Sequence, residues 1–184
     1  MTRIIQRLLL GVIPGFLLLS GFACTSFPSS SDRVENLSNS FTKDLEAGRI
    51  DQARLDLTRI LKLNPHDFAA WNNLAYLDFQ RRDYPKAERD LDKGLAINPG
   101  NSFLRLNKAR LLLAEGRYPE ARTKLLSLES IHPWLPGFRL LLAIADLHTG
   151  HQESSRTLLN EVLNSRPMDK MAQKYLFQIV KVTK

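Results

Sequence analysis

Four histidines and one cysteine are the residues of this chain best suited to metal or nucleophilic chemistry. The histidines are His66, His132, His148 and His151. A catalytic zinc needs three protein ligands converging on one point, and a structural zinc needs four. No two of these histidines stand four apart on one helical pattern, and a single cysteine supplies no thiolate pair. His148 and His151 straddle Gly150, a turn residue, so they share no helix face. The sequence holds no Gly-rich phosphate loop, no G-x-S-x-G and no H-E-x-x-H. Asp90 and Asp92 sit among basic residues and read as a solvated helix face rather than an acid–base pair. The expectation is a protein without catalytic residues, without a bound metal, and with no cofactor or small-molecule substrate.

A formal charge of +7 and a pI near 9.8 raise the question of nucleic acid. An electrostatic footprint of that kind needs a basic patch or stripe. Here Arg81, Arg82, Lys86 and Arg89 interleave with Asp83, Glu88 and Asp90, which favours surface pairs. Beyond Arg3 and Arg7 at the start, the excess lies in two places: residues 102–135, which include Arg105, Lys108 and Arg110, and the tail with Lys170, Lys174, Lys181 and Lys184. No nucleic-acid partner is expected.

The cysteine has a context of its own. Arg3 and Arg7 precede a 16-residue uncharged run, Leu8 to Ala23, interrupted by Pro14 and Gly15. A spanning helix needs roughly 20 apolar residues. A shorter run behind a basic start reads as a secretory signal. Its end, Ser20-Gly21-Phe22-Ala23-Cys24, resembles the lipobox of bacterial lipoprotein signals, with Gly21 where Leu is usual. The resemblance implies cleavage before Cys24 and a lipid on its thiol. A lone thiol in an oxidising compartment is otherwise a liability. An uncleaved anchor, or ordinary secretion with an incidental cysteine, are the other readings. Thr25, by the same resemblance, implies sorting to an outer membrane facing the periplasm. Residues 24–33 then form the lipidated cysteine and a Ser-rich tether.

Beyond the tether the chain repeats. Pro65, Pro99, Pro133 and Pro167 are each 34 residues apart. Gly48, Gly116 and Gly150 share that lattice with Arg82, and Ala53, Ala87 and Ala121 share it with Ser155. Within 68–81, Trp71, Leu74, Ala75 and Leu77 recur at helical spacing. Asp83-Tyr84-Pro85 restarts a helix, with proline in the first turn where its missing N–H costs nothing. Asn98-Pro99-Gly100 ends it. Each unit is thus two short helices, too small to bury an apolar face alone, and stacking completes the core.

The period and residue types resemble the tetratricopeptide repeat, best at Trp71, Leu74, Ala75, Tyr84, Ala87, Leu91, Gly94, Leu95 and Pro99. Arg105 and Lys108 depart from the pattern where Trp and Leu are usual, and Gln152 stands where Tyr is expected. The resemblance implies an all-α fold, a right-handed α-α superhelix of four helix-turn-helix repeats at 34–67, 68–101, 102–135 and 136–169. A C-terminal capping helix over 170–184 closes it.

In that family the first helix of each pair lines a concave groove, through the second, fifth, ninth and twelfth places of each unit. Carried over, these are Ala69, Asn72, Tyr76 and Phe79; Phe103, Leu106, Arg110 and Leu113; and Gly137, Leu140, Ile144 and Leu147. An exposed apolar stripe with Asn72 and Arg110 for polar contacts predicts a peptide partner, its carboxylate opposite Arg110. The convex face, edges and loops are the other places for a partner. The family's clamp for chaperone tails is missing, since Ser38 and Thr42 occupy its first-repeat places. The function expected is a membrane-anchored adaptor that assists assembly of an envelope machine such as a pilus or secretion system. The alternative is an adaptor for peptidoglycan synthases or hydrolases.

Overall fold

A computed structural model describes residues 29–129 and 134–182. Cys24, the segment expected to be a signal and most of the expected tether lie outside these described residues. Among the described residues there are nine α-helices and no strand. They are α1 (Ser30–Glu46), α2 (Ile50–Leu63), α3 (Phe68–Gln80), α4 (Tyr84–Ile97), α5 (Ser102–Ala114), α6 (Tyr118–Glu129), α7 (Phe138–His148), α8 (Gln152–Ser165) and α9 (Lys170–Val182). They pair as antiparallel hairpins α1–α2, α3–α4, α5–α6 and α7–α8, each packed on the next.

The punctuation follows the chemistry of helix ends. Asp67, Asp83 and Asn101 cap α3, α4 and α5 by accepting from backbone N–H groups three residues on. Between the two helices of each pair the chain needs one left-handed residue. Gly48, Gly116 and Gly150 supply it at φ +71°, +77° and +85°. Arg82 takes the same conformation at φ +60°, without the freedom of glycine.

One expectation changes at the start. Helix α1 begins at Ser30, so residues 30–33 belong to the helix and not to the tether. The cause is a capping box. The Ser29 hydroxyl accepts from the Asp32 N–H, and the Asp32 carboxylate accepts from the Ser29 N–H.

The core is a row of small clusters, one at each junction. Ala53, Leu57, Ile60, Ala70, Leu74 and Leu77 bury together where the first pair meets the second. Leu106, Ala109, Leu125, Leu128, Phe138 and Leu142 do so further along. Each fully buried Leu or Phe contributes about 1.5–3 kcal/mol. Gly94 lets α4 approach α5, since a Cβ there would lie 3.0 Å from Leu104 Cδ2.

Ion pairs reinforce three junctions in a regular way. Arg54 of α2 pairs with buried Asp78 of α3, and Arg122 of α6 pairs with buried Asp146 of α7. Both pairs span 24 residues. At the junction between them the charges reverse. Glu88 stands on the arginine lattice and Leu112 on the aspartate lattice. Glu88 instead accepts from Lys108 at 3.0 Å and from Arg117 at 3.1 Å. Lys108 also reaches Asp92 at 2.6 Å. The departure of Lys108 from the repeat pattern is therefore the counterpart of Glu88. Its buried stem packs while its ammonium stays paired.

Candidate peptide-binding groove

Helices α3 and α5, the first helices of neighbouring pairs, stand side by side and leave a cavity of about 270 Å³ between them. Its floor is Ala75, Ala87, Leu91 and Leu111, all buried core residues. Its walls are Asn72, Tyr76, Phe79, Gln80, Asn107 and Arg110. The small floor residues matter. Ala75 and Ala87 allow α3 and α4 to close up, and the space above them stays open to the aromatic walls. Phe79 is fixed by Tyr84, with ring centroids 5.7 Å apart at a 44° tilt. Tyr76 is 44% exposed and projects its ring at the mouth.

A polar chain crosses the groove. Arg110 donates to Asn107 Oδ1 at 2.8 Å, and Asn107 Nδ2 donates to Asn72 Oδ1 at 2.8 Å. Arg110 has no carboxylate partner among the described residues. Guanidinium has five N–H donors and no acceptor, and each amide nitrogen has two donors. After the internal bonds are counted, the wall is rich in donors and carries one uncompensated positive charge. Such a surface favours carbonyl oxygens and a carboxylate, with an apolar side chain against Tyr76, Phe79 and Leu91.

Of the residues expected to line the groove, Asn72, Tyr76, Phe79 and Arg110 come together at this cavity. Phe103 lies outside it and is 56% exposed. The rest of the expected stripe is less open than the resemblance implied. Leu106 and Ile144 are buried, at 3% and 8% exposure, and so are no part of an exposed apolar surface. Leu113 packs on the cluster that joins α5, α6 and α7. Leu140 and Leu147 pack on the cluster that joins α7, α8 and α9. The reason is close stacking. Helix α7 touches α5, and α9 touches α7, so the later pairs cover what the second pair leaves open.

Asn107 and Gln80 are groove residues that the repeat pattern does not mark. The spacing of Asn107 and Arg110, three apart on one helix, is the signal that pairs them. Elsewhere the described residues contain no group of three or more His, Cys, Asp or Glu able to hold a metal ion. No helix of the described residues is long and apolar enough to cross a membrane.

Two family models, each described as tetratricopeptide repeat, match residues 42–102 and 78–133. Together they run from 42 to 133, half of the chain. The chain is a tetratricopeptide repeat (TPR) protein. The paired helices and the 34-residue lattice are those of this interaction scaffold. Solved structures agree in fold. A MamA double mutant from RS-1 superposes with a TM-score of 0.73 at 17% identity, over 85% of this chain and 88% of that one. PilF of Pseudomonas aeruginosa gives 0.71 at 17% identity, over 84% and 70%. YrrB, described as a TPR protein with an unusual peptide-binding site, gives 0.66 at 12% identity, over 85% and 78%. At these identities the likeness is one of fold. No curated protein sequence matches the chain.

Proposed function

We propose that this TPR protein is a lipid-anchored adaptor of the bacterial envelope, which holds an extended or helical peptide of a protein partner between α3 and α5. The single observation that carries the reading is the cavity with Tyr76 and Phe79 on its apolar side and the Asn72–Asn107–Arg110 chain on its polar side. A volume of about 270 Å³ suits one or two side chains of a peptide. Sites for whole small molecules run from about 300 to 1,000 Å³ and enclose their ligand. The ligand chemistry is a bulky apolar residue close to a carboxylate, which meets Arg110.

The anchor in this proposal is a lipid on Cys24, with the signal segment removed. One acyl chain gives marginal membrane attachment and two give stable attachment. The adaptor would then work at the outer membrane, facing the periplasm, and assist assembly of a pilus or secretion machine. The fold likeness to PilF accords with that assignment. Metabolic labelling with palmitate tests the anchor: wild type takes up label and Cys24→Ser does not. Crosslinked capture in the native envelope tests the groove, with wild type beside a Tyr76→Ala, Arg110→Glu variant. An unchanged partner set in the variant would overturn the groove assignment. Recovery of peptidoglycan enzymes in place of pilus or secretion components would redirect the pathway.

A further inference from the structure

The hydrogen bonds of the groove fix its polarity. A guanidinium has N–H donors and no acceptor, so the Asn107 atom that meets Arg110 must be the amide oxygen. That turns the Asn107 amide nitrogen toward Asn72, and the Asn72 atom that receives it must again be the oxygen. Asn72 keeps its amide nitrogen as the free end of the relay, and this nitrogen makes no hydrogen bond among the described residues. An asparagine on its own can turn either edge of its amide to a ligand. Here Arg110, at the other end of the relay, decides which edge Asn72 shows.

The result is a wall of donors. Its free N–H groups belong to Arg110, Asn107 and Asn72, and both amide oxygens already hold a donor. Gln80 and the Tyr76 hydroxyl can donate or accept, so neither opposes this polarity. An ordinary extended peptide suits such a wall badly. Each residue that turns its backbone to the wall brings an N–H beside its C=O, and the N–H then meets other donors. Proline brings the C=O alone. The rest of the cavity fits the same residue. Its floor of Ala75, Ala87, Leu91 and Leu111 is apolar, and Tyr76 offers an aromatic face at the mouth. Proline-rich segments settle in aromatic-lined grooves because their backbone is extended and already ordered. Tyr76 and Arg110 hold the same place in successive repeats, so α3 and α5 bring them to one level of the cavity. A ring on Tyr76 and a carboxylate on Arg110 therefore belong to neighbouring residues of one ligand.

We propose that the groove selects an extended, proline-containing segment of a partner protein, with an acidic residue within one or two places of the proline. This rests on the groove reading above and narrows it. Arg110 has two parts: it pairs with the carboxylate, and through Asn107 it holds Asn72 as a donor. Asn107 is a positioning residue. A helical ligand fits less well, because a helix keeps its carbonyls in its own hydrogen bonds except in the last turn. With its side chains it is also about 10–12 Å across, too broad to enter a cavity of about 270 Å³.

The test uses the full chain in detergent and capped synthetic peptides, Ser-Pro-Pro-Glu-Pro-Ser and two relatives. In one relative alanine replaces every proline, which restores the N–H groups. In the other N-methylalanine does so, which leaves out both the N–H and the ring. Calorimetric titration is expected to show the alanine peptide about tenfold weaker than the proline peptide. The N-methylalanine peptide is expected to stay close to the proline one, and binding is expected to slow amide exchange in α3 and α5. Asn72→Asp keeps the bond from Asn107 and turns an acceptor to the ligand. It is expected to narrow the ratio of proline to alanine affinities to about twofold or less. Asn107→Leu, which breaks the relay, is expected to narrow the ratio as well. The ratio is the readout because added charge weakens all three peptides alike, and circular dichroism checks that both variants keep their helices. Equal affinity for the proline and alanine peptides, with exchange still slowed in α3 and α5, overturns the proposal and leaves the groove reading standing. An N-methylalanine peptide as weak as the alanine one overturns it too, since ring shape would then be what is read. So does a proline peptide that fails to bind. Failure of the groove itself shows elsewhere, as an unchanged partner set on capture with the Tyr76→Ala, Arg110→Glu variant.

Discussion

Arg122 on α6 donates to the Asp146 carboxylate on α7 at 2.6 Å, across the junction of the third and fourth pairs. Asp146 is buried, and Ser154 is its other side-chain donor. A buried charge that loses its partner keeps its desolvation cost and forfeits its compensation. Arg122→Ala is therefore expected to destabilise the chain by about 2–4 kcal/mol. Arg122→Met combined with Asp146→Leu is expected to recover most of that loss, because the double change removes the buried charge itself. Urea denaturation of the single and double variants measures both.

The pair Glu88–Lys108 makes stability depend on pH. The hydrogen bond from Lys108 holds the Glu88 carboxyl below the usual glutamate value of 4.5; burial opposes this, and Arg117 adds to it. A carboxyl whose folded value is depressed stabilises the fold fully above its unfolded value. That contribution is lost as pH falls through the folded value. Thermal midpoints are expected to fall more steeply below about pH 4.5 in wild type than in Glu88→Gln. Lys108 keeps Asp92 as a partner, so the acid loss at this junction is partial.

Arg82 is the one lattice member that takes a left-handed turn conformation without being glycine. Its side chain is exposed. Arg82→Gly is expected to raise stability by about 1 kcal/mol, since an L-residue in this region carries a steric cost that glycine escapes. A higher urea midpoint with unchanged slope is the result that checks it.

Tyr76 and Arg110 divide the groove chemistry. Against peptides that join a bulky apolar residue to a carboxylate, Tyr76→Ala is expected to lose affinity about tenfold or more. Arg110→Glu is expected to lose it selectively for the acidic members and to gain for their amide counterparts. Calorimetric titration separates the two, and circular dichroism should show the helices intact in both.

Much of this was legible in sequence because backbone punctuation is local. Pro65, Pro99 and Pro167, the glycines of the turns, and Asp83 before Pro85 each act within a few residues, and they mark the helices closely. The groove was half legible. Asn72, Tyr76, Phe79 and Arg110 meet because α3 and α5 keep the common spacing. Leu106 and Ile144 are covered because α7 approaches α5, and that approach depends on packing between distant residues. The capping box of Ser29 and Asp32 was readable and was hidden by the serine-rich run around it. Lys108 looked like an anomaly, and only its contact with Glu88 explains it.

The charge order at the junctions restricts how this gene can change length. Repeats of equal size invite unequal recombination, which removes or adds whole units. Excision of residues 68–101 would set Arg54 against Leu112 and Lys108, with no carboxylate on the lattice to receive it. Excision of 68–135 would set Arg54 against Asp146, and the pairing would be restored. Lineages of this protein are therefore expected to lose or gain internal units two at a time, and a descendant that loses one internal unit should carry a compensating charge change at the new seam.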